Sequence, residues 1–401
     1  MKMNLRKAAG SLLVVGLEGT ELTGLEHAWL KLVQPAGIIL FRRNIVDARQ
    51  TRALLAEATS LCAANSLKCV DVEGGTVNRL RDALAPMPSA QTVAQAVRRD
   101  GERHRTPTLS QRTRKDGAPS FPRSQKRDMG HPDSMARQQG ELIAQGVRAF
   151  GFNTTLAPVL DLAQADSAGV MGTRPAATTA AGVVEYARQF LAGLAVYGVV
   201  GCGKHFPGLG SGALDSHLAT PLIERGSREL WQKDLEPYRE LREELPMVMV
   251  NHAAYPRTPG KDLPASVSRY WIQTVLRQRI GYRGIIFSDD MEMGGILKFM
   301  PIEEAVVAAI RAGMDLMEIC HTPELILRAY EALIAEGERS SAFSELILAR
   351  AGQTARQRAK LFAGTAPSEP TSRQFAALRA RILRFSEKVE KALKTQEAQK
   401  A

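Results

Sequence analysis

A chain of 401 residues with 44% hydrophobic and 24% charged side chains can build a large core, and its composition is neither disordered nor collagen-like nor that of a disulfide-stapled protein. The formal net charge of +11 raises the question of a nucleic-acid partner. Ten Lys/Arg against three Asp/Glu fall between Arg98 and Arg127, so most of the excess is local and no nucleic acid is expected as partner.

The first residues, "MKMNLRKAAGSLLVVGLEG", mimic a secretory signal but lack a small-residue cleavage site, and the apolar run leads into Glu18. Ser11–Leu17 is therefore read as a first buried strand. Seven further short runs follow: "GIILF" from Gly37, "KCVDV" from Lys68, "TTLAPVLDL" from Thr154, "VVGCGKHF" from Val199, "PMVMVNH" from Pro246, "GIIFSDD" from Gly284 and "DLMEIC" from Asp315. They are rich in Val, Ile and Leu with little polar alternation, the pattern of strands covered on both faces in a parallel sheet. Helical segments separate them, such as "ARQTRALLAEATSLCAAN" and "TAAGVVEYARQFLAGLAVYG". Eight strands alternating with helices predict an α/β fold, a (β/α)8 TIM-type barrel. No run reaches the ~18 apolar residues of a membrane span. Cys62, Cys69, Cys202 and Cys320 have neither metal-ligand nor disulfide spacing and read as reduced thiols of a cytoplasmic protein.

The expected organisation is one catalytic barrel domain over residues 1–365, with a basic low-complexity insertion at about 98–130, and a helical tail over 366–401. The insertion has too few large apolar residues to offset the entropy of ordering. The tail carries Phe375, Leu378, Ile382, Phe385, Val389 and Leu393 at steps of three and four, a stripe expected to pack on the body. A monomer or weak dimer is expected.

Polar residues collect at the C-terminal ends of the strands, where barrels of this kind keep functional groups. Asp71 and Glu73 end the third run, Asp161 the fourth, Lys204 and His205 the fifth, Asn251 and His252 the sixth, Asp289 and Asp290 the seventh, and His321 the eighth. In "KHFPGLGSGALDSH", Asp215 and His217 stand two apart, on one side of an extended loop. A carboxylate beside an imidazole fixes its tautomer and makes a general acid that can return as general base. Gly208, Gly210 and Gly212 would let that loop move as a lid. Paired carboxylates in "GIIFSDDMEMGG" fit a metal ligand, a proton-transfer group or a nucleophile attacking an anomeric carbon. Asp290 is expected to cap the following helix. In "VDVEGGTVNRL", Asp71 and Arg79 flank Gly74 and Gly75, a place for close backbone approach to a ligand.

Taken together, "GIILFRRNI", "VDVEGGTVNRL", "LAPVLDL", "GKHFPGLG", "DSHLATPLI", "VMVNHAAYP" and "GIIFSDDMEMGG" resemble the bacterial β-N-acetylglucosaminidases of glycoside hydrolase family 3, enzymes of peptidoglycan recycling in cell-wall biogenesis. The resemblance spans roughly Leu12 to Cys320. It implies a retaining exo-β-N-acetylglucosaminidase acting on an amino-sugar glycoside, a muropeptide or chitooligosaccharide-like substrate. Asp289 would be the nucleophile and His217 the general acid/base paired with Asp215. Lys204, His205, Asp71 and Arg174 would bind the sugar and Arg79 would hold the binding residues; no metal or organic cofactor is implied. Leu209 stands where the family has a second histidine, and the Arg98–Arg127 segment replaces a short connection. Three other readings fit parts of the pattern: a β-N-acetylglucosaminide phosphorylase or other family-3 β-glycosidase, a metal-dependent hydrolase built on His205, His217, Asp289 and Asp290, and a non-catalytic barrel binding anionic polymer through its basic insertion.

Overall fold

The computed structural model describes residues 4–103, 134–165, 167–210, 220–364 and 369–397. Each of the eight apolar runs supplies one strand: β1 (Leu13–Gly16), β2 (Gly37–Leu40), β3 (Leu67–Val70), β4 (Thr154–Thr155), β5 (Val200–Phe206), β6 (Met247–Val250), β7 (Ile285–Asp290) and β8 (Leu316–Ile319). All neighbours are parallel, and β8 pairs with β1 to close the barrel in sequence order. Closure removes the free edges, so even the two-residue β4 is held on both sides, by β3 and β5.

The strands need apolar side chains on both faces because each face meets a different core. Val14, Ile39, Cys69, Cys202, Met249, Phe287, Leu316 and Cys320 fill the bore. Their neighbours in sequence, among them Leu13, Val15, Ile38, Val70, Val248 and Ile286, pack against the surrounding helices. That two-sided burial is why the sequence shows runs rather than alternation.

Local signals set the helix ends. Thr23 and Glu26 form a capping box at the start of the helix Gly24–Val33. Gly313, at φ 108°, ends Ile302–Ala312 in a left-handed turn. In the helix Ser372–Glu397, Leu378, Ile382, Phe385 and Val389 are buried, and Phe375 packs on Phe150 with ring centroids 5.8 Å apart. The stripe is thus consumed within the chain, as expected. The helix Ala90–Arg103 continues six residues into the stretch expected to be irregular from Arg98; the rest of the basic insertion lies outside the described residues.

Candidate functional site

The hairpin after β3, Val72–Gly74 with Val77–Asn78, turns through Gly74 (φ 96°) and Gly75 (φ 61°). A Cβ on Gly74 would sit 2.2 Å from the carbonyl oxygen of Pro88, and one on Gly75 would sit 2.8 Å from the Ser89 Cβ. The glycines are required by this turn and by packing of the chain on itself. The expectation that they allow close approach of a ligand is corrected on that ground.

The hairpin aims two carboxylates into the barrel mouth. Lys204 Nζ, from β5, lies 2.9 Å from Asp71 Oδ1 and 2.7 Å from Glu73 Oε1. Arg174 reaches the same Glu73 as a fork, Nε to Oε2 and Nη2 to Oε1, both at 2.8 Å. Arg79 Nη2 stands 3.6 Å from Asp71 Oδ2, and its backbone N–H donates to the Asp71 carbonyl at 3.0 Å. Burial opposes charge on Asp71, Glu73, Lys204 and Arg174, but the partners outweigh it. Asp71 is held below its usual range by Lys204 and Arg79, and Glu73 well below by Arg174 and Lys204. The same contacts hold Lys204 and Arg174 above theirs. Two anions and two cations thus form a desolvated network of charge-assisted bonds.

His205 continues it. Its backbone N–H and its Nδ1 both meet Asp161 Oδ2, at 3.1 and 2.7 Å, and Arg174 Nη2 is 3.3 Å from Nε2. A proton on Nδ1 satisfies Asp161 and leaves Nε2 to accept from Arg174. That occupation of both ring nitrogens removes His205 from the metal-ligand set considered above. Asp161 Oδ1 also accepts from the Leu209 backbone at 2.6 Å, so one carboxylate on the segment after β4 orients the histidine and starts the loop after β5.

That loop is expected to carry the dyad. Asp215 and His217 lie outside the described residues, as does Gly212; the structure does describe the two feet. Gly208 and Gly210 are packed in place, since a Cβ would meet Asp234 Cβ at 2.8 Å and the Leu162 carbonyl at 2.6 Å. The loop that follows, expected to move as a lid, lies outside the described residues. Leu209 packs on the outer core. Ser167 Oγ donates to the Gly210 carbonyl at 2.8 Å, and Thr220 Oγ1 donates to the Gly295 carbonyl at 2.7 Å. The loop therefore starts beside the segment after β4 and ends beside the segment after β7.

Asp289 ends β7 half-buried, with the Asp290 N–H donating to its Oδ1 at 3.0 Å. Among the described residues no cation pairs with it. His252 fixes the strand end: Nδ1 meets Ser266 Oγ at 2.7 Å and Nε2 donates to the Asp290 carbonyl at 2.9 Å. Burial lowers the imidazole's pKa, so His252 is neutral at neutral pH. Asp290 Oδ1 accepts from the Glu292 N–H. It closes a turn, whereas the next helix, Gly294–Leu297, begins at Met293 without a side-chain cap; the expected helix cap is corrected.

The barrel thus brings Asp71, Arg79, Arg174, Lys204, His205 and Asp289 to one mouth. Sequence reasoning gave no role to Glu73, Asp161 or His252. Their positions at strand ends were visible, but what they contact was not.

The family model described as glycosyl hydrolase family 3 N terminal domain matches residues 5–347. A β-hexosaminidase of Thioalkalivibrio sulfidiphilus is 34% identical over 80% of this chain and 83% of its own length. One of Alkalilimnicola ehrlichii is 36% identical over 78% and 82%. Among solved structures, a glycoside hydrolase family 3 β-N-acetylglucosaminidase from Paenibacillus sp. matches with TM-score 0.79 and 28% identity, covering 96% of this chain and 69% of that one. NagZ from Neisseria gonorrhoeae, in complex with N-trifluoroacetyl-D-glucosamine, matches with TM-score 0.70 and 27% identity over 94% and 98%.

Proposed function

Because the chain belongs to glycosyl hydrolase family 3 and is a β-N-acetylhexosaminidase-type glycoside hydrolase, we propose that it is a retaining exo-enzyme removing terminal non-reducing β-linked N-acetylglucosamine. Its natural substrate is proposed to be a muropeptide with that sugar on 1,6-anhydro-N-acetylmuramic acid, met in the cytoplasm during cell-wall recycling. The observation that carries the reading is the buried Asp71–Lys204–Glu73–Arg174–His205–Asp161 network at the mouth that also holds Asp289. With Arg79 beside Asp71, three cations face the three carboxylates while polar edges remain, which suits an uncharged sugar rich in hydroxyl groups. Arg174 and His205 offer donors and acceptors with fixed geometry, and binding energy spent beside the anomeric carbon is felt in the transition state.

Asp289 attacks C1 while His217, oriented by Asp215, gives its proton to the departing glycosidic oxygen. The glycosyl–Asp289 ester forms as the C1–O bond breaks. His217 then takes a proton from water, which attacks C1 and releases Asp289, so the β configuration is restored. A histidine in this role approaches the ester without adding negative charge. The feet of the Gly210–Thr220 loop support this pairing, because one of them rests beside the segment after β7.

Trapping with a 2-acetamido-5-fluoro glycoside followed by peptide mapping tests the proposal. A label on Asp289 is expected; a label elsewhere, or an α-configured first product, overturns it. Free N-acetylglucosamine in phosphate buffer, rather than its 1-phosphate, separates hydrolysis from phosphorolysis.

A further inference from the structure

Glu318, in the middle of β8, is a carboxyl where a barrel bore normally holds a branched apolar side chain. It shares the inward parity of Leu316 and Cys320, both of which line the bore, and it is 4% exposed. Its backbone N–H donates to Ser288 Oγ at 3.0 Å, and Cys320 Sγ donates to its Oε1 at 2.9 Å. Its Oε2 is buried and has no hydrogen-bond partner among the described residues. The groups that face it are Asp289 and Asp290 from β7, Asp71 after β3, Cys69 from β3, Cys202 from β5 and Cys320 from its own strand. No cation pairs with it among the described residues.

A chain of groups leads from Glu318 to the surface. Cys320 Sγ also lies within 4.8 Å of an Asp290 carboxyl oxygen. Asp290 Oδ2 stands 3.4 Å from Nε2 of His321, whose side chain is half exposed. Asp290, Cys320 and His321 bring oxygen, sulfur and nitrogen within 4.8 Å of one another, which raises the question of a metal. Arg43 answers it: its Nη1 lies 2.9 Å from His321 Nδ1. A guanidinium only donates, so Nδ1 accepts and the ring proton sits on Nε2, toward Asp290. That tautomer offers Asp290 a proton and offers a metal no lone pair.

We propose that Glu318 is a positioning residue for the glycosidase reaction: a carboxyl beneath Asp289 that exchanges its proton through Cys320, Asp290 and His321 and acts on Asp289 through the field it sets in the bore. This rests on the reading of Asp289 as nucleophile. An ionised Glu318 would be a buried charge without a cation, beside three further carboxyls, so the neutral acid is the stable form. Burial and Asp290 push its pKa well above the usual range, in keeping with that geometry. Where several carboxyls share a site, protons settle on the least solvated ones. Glu318 takes the proton, and Asp289 is left as the carboxylate that attacks. Loss of the Glu318 proton in alkali adds a second negative charge next to Asp289, makes it a poorer leaving group from the glycosyl ester and slows turnover.

The test compares kcat and KM across pH for the wild type and Glu318→Gln, which keeps the shape and cannot ionise. The expected result is an alkaline fall in kcat that is reduced by about tenfold or more in the variant, with KM changed less than about twofold, because Glu318 is buried in the bore beneath the mouth. Superimposable pH profiles overturn the proposal. A second measurement needs no turnover: the infrared difference spectrum of wild type minus Glu318→Gln at neutral pH should contain the C=O stretch of a protonated carboxylic acid. A carboxylate band in its place also overturns the proposal. Asp289→Ala should keep that C=O band. If that variant still hydrolysed substrate, the nucleophile reading would fall while the protonation of Glu318 was judged separately.

Discussion

The barrel mouth has two sides with opposite electrostatic designs. On the β3–β5 side, Asp71 and Glu73 are matched by Lys204, Arg174 and Arg79, and both carboxylates are held charged. On the β7–β8 side, Asp289, Asp290 and Glu318 have no paired cation of that kind among the described residues, and burial raises Asp290 to about 7. The paired side is a rigid polar surface whose charge does not change over the working pH range. The other side carries the titrations. A site that must bind a neutral sugar and move protons separates the two tasks in this way, because charges fixed by ion pairs cannot also serve as reservoirs of protons.

The largest effect should come from the reactive side. Asp289→Ala is expected to lower kcat on p-nitrophenyl β-N-acetylglucosaminide by about 10^4-fold or more, with the melting temperature little changed. Retained turnover would place the chemistry elsewhere. Next is the centre of the paired side. Lys204→Met removes one cation from two buried carboxylates and should cost about 3–5 kcal/mol in chemical denaturation; a loss under 1 kcal/mol would mean that the network relaxes. Arg174→Lys keeps the charge and loses the fork on Glu73, so a smaller loss of about 1.5–3 kcal/mol is expected, with KM rising more than kcat falls.

A last effect sharpens the contrast by its sign. Asp290 has a folded pKa of about 7, above its unfolded value of about 3.9. Its favourable contribution is complete below about pH 4 and declines as pH rises to about 7, where the folded group ionises. Asp290→Asn should therefore flatten the fall in melting temperature over that window. Glu73 runs the other way. Its folded pKa is depressed, so its contribution is present above about pH 4 and is lost only in stronger acid. Parallel pH–stability slopes for Asp290→Asn and Glu73→Gln would erase the distinction between the two sides.

Much of the fold could be read in advance, because the bore and the outer shell each demand apolar side chains and so print eight short runs into the chain. The site was legible as positions at strand ends, and Asp71, Arg79, Arg174, Lys204, His205 and Asp289 do share one mouth. What escaped was pairing. Glu73 is one letter in "VDVEGG" until Arg174, 101 residues away, closes on it, and Asp161, on the segment after β4, declares itself only when His205 from β5 meets it. Gly74 and Gly75 show the opposite error. Their conformational freedom was recognised, but the atom that needs the space, the Pro88 carbonyl, is set by tertiary packing. Glu318 went unnoticed because a single acid inside "DLMEIC" looks like a solvent-facing position until barrel closure decides the parity.

The helix Ser372–Glu397 has a consequence for how this barrel carries extra sequence. It lies across the two helices that bracket the basic stretch: Arg381 Nη1 donates to Gln145 Oε1 at 2.7 Å, and Ser386 Oγ donates to the Pro86 carbonyl at 3.4 Å, just ahead of Ala90–Arg103. Leu378, Ile382, Phe385 and Val389 bury the contact. The helix is thus a strap over the two helices that flank the basic stretch. With both flanking helices tied to one strap, a change in the length of the stretch between them is expected to leave those helices, and the barrel they pack on, in place.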